Sequence, residues 1–151
     1  MAIETTAIER RARATWEGDL RRGLGRFDLA SGAISGQEVT FASRFEESGG
    51  KTSPEELIAG AHATCFSMAL ANELGQQGHP PTRLETSAVC TLDKADEGFR
   101  ITSMALEVHG EVDGIDEATF RSAAEQARDG CPVSLALAGN LEVSLDASLQ
   151  G

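Results

Sequence analysis

The chain has 151 residues, 40% of them hydrophobic and 25% charged, enough for one globular domain burying roughly 68–70% of the surface its unfolded chain exposes. Its 13 basic and 24 acidic residues leave a net charge of −11, which excludes the cationic field that nucleic acids and anionic membrane surfaces require. Three cysteines, Cys65, Cys90 and Cys131, are too few and too scattered for a secreted disulfide scaffold, and the opening MAIETTAIERRARATWEGD lacks the apolar stretch of a signal peptide, so a reducing cytoplasm is the expected compartment.

Segments 8–16, 24–30 and 38–45 carry the β-formers Ile8, Trp16, Phe27, Val39 and Phe41 between glycine-bearing stretches, which predicts a meander of two or three antiparallel strands. Residues 46–52, small and charged without periodicity, form a loop. A helix start is signalled by Ser53-Pro54-Glu55-Glu56, where serine can cap, proline presets the first helical φ, and the glutamates suit the positive end of the dipole. From Leu57 to Leu74 the residues are apolar or small on nearly every face, the pattern of a helix packed on several sides. Gly75 and Gly78 end it, and Pro80 and Pro81 prevent a restart.

Two strands follow at about 83–93 and 99–110, joined by the turn Lys94-Ala95-Asp96-Glu97-Gly98. Asp116 to Arg128 is an amphipathic helix with Phe120 and Ala124 on one face, Ile115 ahead of it and Asp129-Gly130 as its stop. Cys131-Pro132 opens a short helical turn through Leu137, and the last strand is Leu141 to Leu145. The order ββ(β)αββααβ describes an α+β domain with mainly antiparallel sheet, and with no repeat and no dividing linker the expectation is a single domain over 1–151.

No G-x-S-x-G elbow and no phosphate-binding glycine motif occurs, and without a C-x-x-C pair or clustered histidines the chain does not read as a zinc site. Two cysteines stand in contrasting settings. Cys131, in Gly130-Cys131-Pro132, lies at the N-terminal edge of a helical turn, where free N–H groups favour thiolate. Cys65, in Ala61-His62-Ala63-Thr64-Cys65-Phe66, lies mid-helix among apolar residues that raise a thiol's pKa, so reactivity there requires a cation. Arg44, between Phe41 and Phe45 at the end of the third strand and therefore expected to be partly buried, is the first candidate. His62, three residues before Cys65 on the same helical face, is the second. Each of these residues also has a bland role. A free cysteine is among the most often buried residue types, Arg44 can be a solvated strand end, and Glu55 and Glu56 can be simple caps. Cys90, in a strand with no charge nearby, reads as packing.

Taken together, Trp16-Glu17-Gly18-Asp19, Arg44-Phe45-Glu46, Pro54-Glu55-Glu56-Leu57-Ile58, Ala61-His62-Ala63, Cys65-Phe66-Ser67-Met68-Ala69-Leu70, Leu92-Asp93-Lys94 and Gly130-Cys131-Pro132-Val133-Ser134 resemble the OsmC/Ohr family in order and spacing. The Arg-Phe-Glu and Ala-His-Ala blocks resemble the OsmC branch; in the Ohr branch a tyrosine takes the place of His62. The chain departs from that pattern at Ser53, where asparagine is usual, and in a 46–52 loop one residue longer.

The resemblance implies an OsmC-like fold, mainly antiparallel sheets around a long central helix in an intertwined homodimer with sites at the subunit interface. It implies a thiol peroxidase of organic hydroperoxides, and of hydrogen peroxide less well. Cys65 would be the peroxidatic cysteine, Cys131 the resolving one, Arg44 the group that stabilises thiolate and peroxide, and Glu55 the residue that orients Arg44. An external dithiol of the dihydrolipoyl type would reset the enzyme, with no metal, flavin or nicotinamide cofactor. Ten residues separate Glu55 from Cys65, a rise of about 15 Å on a continuous helix, so an unbroken helix would send Glu55 to the partner subunit's site. The other reading is a non-catalytic dimer of the same fold that holds an apolar small molecule or partner at its interface.

Overall fold

The computed structural model describes residues 7–150, and the chain forms two compact units, one ending at Pro54 and one beginning at Glu55. In the first, β1 (Ala12–Glu17), β2 (Leu24–Leu29) and β3 (Gln37–Val39) form an antiparallel sheet in that order. The register pairs Trp16 with Gly25. The indole lies so close that a Cβ at Gly25 would sit 2.7 Å from Trp16 Cε3, so only glycine fits opposite it.

The third predicted strand is overturned beyond Val39: Phe41–Phe45 is a short helix, α1. Thr40 Oγ1 accepts from the Ser43 N–H at 3.1 Å while the Thr40 N–H donates to Ser43 Oγ at 2.9 Å. This reciprocal cap uses serine at the third position where glutamate or glutamine usually stands. Ser43 Oγ also donates to the Thr52 carbonyl at 2.8 Å. Once the turn is helical, Phe41 and Phe45 fall on one face with ring centroids 4.9 Å apart.

The second unit consists of α2 (Pro54–Gln76), β4 (Arg83–Ala95), β5 (Gly98–Glu111), α3 (Glu117–Gly130), α4 (Pro132–Leu137) and β6 (Glu142–Leu149). Its sheet runs β4-β5-β6, with β5 antiparallel to β4 and parallel to β6. The parallel pairing follows from the crossover through α3 and α4, which returns the chain to the end of the sheet where β5 began. β6 continues four residues past its predicted end at Leu145, as far as Leu149.

The core lies between β5, which buries Met104, Leu106 and Val108, and two helices. From α2 come Phe66, Leu70 and Leu74, and from α3 Phe120, Ala123, Ala124 and Ala127. A Cβ at Gly110 would meet the Phe120 ring at 2.5 Å, so glycine lets α3 approach the strand. α2 ends in a Schellman motif: the His79 N–H donates to Leu74 O, and Gly78, at φ +84°, donates to Gly75 O. Expected to be packed on several sides, α2 instead buries one stripe within the chain, His62, Phe66, Leu70 and Leu74. Its opposite face is open, with Met68 69% exposed. No helix among the described residues is long and apolar enough to cross a membrane.

Candidate active site: a thiol pair between two helices

Cys65 stands mid-way along α2, and Cys131 is the residue at which α3 ends and α4 begins. Their sulfurs are 2.9 Å apart with both thiols free. A disulfide is about 2.05 Å long, so the two atoms need close by only a little under 1 Å. Exposure separates them. Cys131 is fully buried, whereas Cys65 is half-buried and lines an open, mainly apolar groove of about 560 Å³ with Leu57, Ala61, Thr64 and Met68.

The polar groups around the pair are arranged differently from the sequence expectation. The Cys131 side chain makes no capping bond to α4. It is the Cys65 sulfur that receives a backbone hydrogen bond from the α4 turn, at Val133. That bond favours thiolate, but burial pushes the Cys65 thiol up, and the bond and charge of Cys131 add to the rise, so the net shift is upward. Without a cation, Cys65 is held as a thiol.

His62 does not supply that cation. It is completely buried, burial pushes its pKa down, and its Nε2 is 2.7 Å from Ser134 Oγ on α4. Arg44 lies on α1, not on a strand end, and it is exposed instead of partly buried, with its guanidinium 5.2 Å from the Phe45 ring centroid. Glu55 is only 6% exposed, in the first turn of α2. Helix α2 is unbroken from Glu55 to Cys65, a rise of about 15 Å. The negative charge of Glu55 falls on Cys90, whose thiol is pushed up first by burial and then by this carboxylate. The expectation of no charge near Cys90 is therefore corrected, and both effects keep that thiol protonated and inert.

The chain matches the family described as OsmC-like protein over residues 47–146. It is 46% identical to peroxiredoxin OsmC of Escherichia coli (strain K12) over 143 residues, 95% of this chain and 98% of that protein. The chain belongs to the OsmC family. It is also 32% identical to the organic hydroperoxide resistance protein OhrA of Bacillus subtilis (strain 168), over 63% of this chain and 66% of that one. The crystal structure of OhrB from Bacillus subtilis shares the fold, with a TM-score of 0.73 at 24% identity over 91% of this chain and 98% of that one.

Two groups beside the thiol pair escaped the sequence reading, Ser134 and the backbone of Val133. The available signal was the spacing. Ser134 follows Cys131 by three residues as His62 precedes Cys65 by three, so a contact between the cysteines places serine against histidine if the segments run in opposite directions.

Proposed function

We propose that this chain is a thiol peroxidase that reduces organic hydroperoxides to alcohols, and hydrogen peroxide less well, in stress defence. The observation that carries the reading is the thiol pair itself, two free sulfurs 2.9 Å apart of which only one reaches the open groove. The peroxiredoxin name of the 46% identical relative supports it. Cys65, deprotonated, attacks one peroxide oxygen. The O–O bond breaks, the departing alkoxide takes a proton, and Cys65 becomes a sulfenic acid. Cys131 then displaces the hydroxyl as water and leaves a Cys65–Cys131 disulfide. An external dithiol of the dihydrolipoyl class reduces that bond and is itself oxidised to a disulfide. The apolar lining of the groove favours alkyl over hydrogen peroxide.

The roles of the charged residues follow from the same reading. Cys65 needs a cation to ionise, and Arg44 is the residue to which the family pattern assigns that task, with Glu55 orienting it. A rise of about 15 Å along an unbroken α2 favours Glu55 serving the site of the second subunit, so that a homodimer is required for activity. The open apolar face of α2, from Leu57 to Met68, and the wholly exposed strand β1 are surfaces such a dimer would cover. The chain then works as one functional domain in a reducing cytoplasm, where the disulfide can be reset.

Steady-state consumption of cumene hydroperoxide with dithiothreitol, then with a lipoyl system, tests this. Cys65→Ser abolishes turnover. Cys131→Ser completes one turnover and leaves a sulfenic acid that dimedone traps. Multiple turnover by Cys65→Ser overturns the peroxidase reading and leaves the interface-binding one.

A further inference from the structure

Among the described residues, two side-chain hydrogen-bond contacts join helices α2 and α4. One is the sulfur pair; the other is His62 Nε2 to Ser134 Oγ at 2.7 Å. Three residues forward on α2, from His62 to Cys65, corresponds to three residues back on the α4 turn, from Ser134 to Cys131, so the contacts are successive rungs between segments running in opposite directions. His62, Ser134 and Cys131 are all buried, so breaking the polar rung leaves the wholly buried imidazole without a partner, which costs free energy.

His62 is an unusual choice for filler at this position. Its Nδ1 is buried and has no hydrogen-bond partner. An orphaned N–H is costlier than an orphaned lone pair, so Nε2 carries the proton and donates to Ser134. An apolar pair at positions 62 and 134 would fill the space without leaving an orphan. What the imidazole adds is a directional bond to one atom of α4.

We infer that His62 and Ser134 form a clamp that positions Cys131 for the resolving step of the cycle, leaving attack on the peroxide to other groups. The inference rests on the peroxidase reading for the identity of that step. Cys131 sits at a junction, with φ −61° and ψ 128° between two helices, and its side chain makes no cap bond. Its backbone is held by its N–H to Ala127 O at 2.9 Å and by the Leu135 N–H to its carbonyl at 3.0 Å. Those bonds tie it to α3 and α4. Two polar ties run from α4 across to α2 beside the thiols, the Val133 N–H to the Cys65 sulfur and Ser134 Oγ to His62 Nε2, and the second is the one built from side chains. In the step itself the Cys131 sulfur forms a bond to the Cys65 sulfur and the S–O bond of the sulfenic acid breaks. The hydroxyl leaves with the Cys131 proton as water, Cys131 being oxidised and the Cys65 sulfur reduced. Because the sulfurs start 2.9 Å apart, the step depends on sub-ångström placement, and a displacement near 1 Å can cost about 10²-fold.

The test is a single turnover of the reduced full-length protein with one equivalent of cumene hydroperoxide, following peroxide loss, dimedone-trapped sulfenic acid and disulfide formation separately. Ser134→Ala and His62→Ala should slow disulfide formation by about 10- to 100-fold and accumulate trapped sulfenic acid, with peroxide loss changed less than about two-fold. His62→Gln, which puts an amide N–H where Nε2 stood, should restore most of the condensation rate, a rescue that packing alone would not produce. In parallel, the Cys65–Cys131 effective concentration in a glutathione redox buffer should fall in Ser134→Ala and in His62→Ala, and His62→Gln should restore most of what His62→Ala loses. That measurement uses no peroxide, so it still reads the clamp if the protein consumes no hydroperoxide, an outcome that would overturn the peroxidase reading alone. Unchanged condensation and unchanged effective concentration in Ser134→Ala, an equal slowing of peroxide loss and condensation, or a Gln variant as slow as the Ala variant would each overturn the clamp.

Discussion

In the unit beginning at Glu55, β5 alternates buried and exposed side chains from Met104 to Gly110 and two helices cover the buried row. In the unit ending at Pro54, β1 is exposed at all six positions, and the buried residues of the described chain there are Gly25 and Ser43. The two sheets have the same number of strands and opposite energetics. At roughly 25 cal/mol per Å² of apolar surface removed from water, that buried row stabilises the second unit. The first has no such row among the described residues, and a small sheet needs an apolar face covered to be stable. Its strength has to come from a surface beyond it, which is what the proposed homodimer supplies. The proposed chemistry is divided in the same way, since Cys65 and Cys131 belong to the unit with the core and Arg44, the cation proposed for them, belongs to the other.

The sharpest contrast between the units is in stability. Phe120→Ala, removing a fully buried ring from the second unit, should cost about 3–5 kcal/mol in urea unfolding. Phe27→Ala in the first, where the ring is only half-buried, should cost under about 1 kcal/mol at high dilution. A Phe27→Ala loss that grows with protein concentration would identify the dimer as what covers that sheet. Equal losses at all concentrations would erase the contrast.

The next effect is on catalysis. Arg44→Ala should lower kcat/KM for cumene hydroperoxide by roughly 10²-fold, because the cation proposed to hold the Cys65 thiolate is gone. Arg44→Lys should recover only part of it, a point charge replacing a planar fork. An active Arg44→Ala enzyme would remove the first unit from the chemistry.

Subunit mixing tests whether the units cooperate across the dimer. Glu55→Gln and Cys65→Ser homodimers should each be poorly active, and their mixed dimer should regain one working site in which Glu55 of one chain serves Cys65 of the other. Mixing without recovery would return Glu55 to its own chain.

The smallest effect is a pH dependence confined to the second unit. Burial lowers the His62 pKa in the folded chain, so the unfolded chain binds more protons once pH falls through the free imidazole value of about 6.5. Stability is fully present above that pH and declines below it. His62→Gln should flatten the low-pH limb of a Tm profile; an unchanged limb would assign the loss to other groups.

Much of this architecture was legible in local patterns. Ser53 to Glu56 marked the start of α2, Gly78 its end, Asp96-Glu97 the turn between β4 and β5, and Cys131-Pro132 the start of α4. The failure at Phe41–Phe45 is instructive because the aromatic residues spoke for a strand while the deciding signal was a cap between Thr40 and Ser43, two hydroxyls with many other possible partners. The extent of β6 was hidden for a different reason: its last residues are ordered by pairing with β5, some 40 positions earlier. At the site, the cysteines were marked by the family pattern, but which sulfur receives the Val133 hydrogen bond depends on the orientation of a turn that no local pattern encodes.

Spacing, capping and turn chemistry by themselves determined the fold class, because they act over a few residues, and the resemblance of the motifs to a known family singled out the two thiols. Only the tertiary structure decided that Cys131 is sealed while Cys65 opens on a groove, and that His62 is bound to Ser134 and not to a thiol. Those are properties of segments some 70 residues apart brought within 3 Å, and distance across a core is set by packing, which the order of residues specifies only jointly.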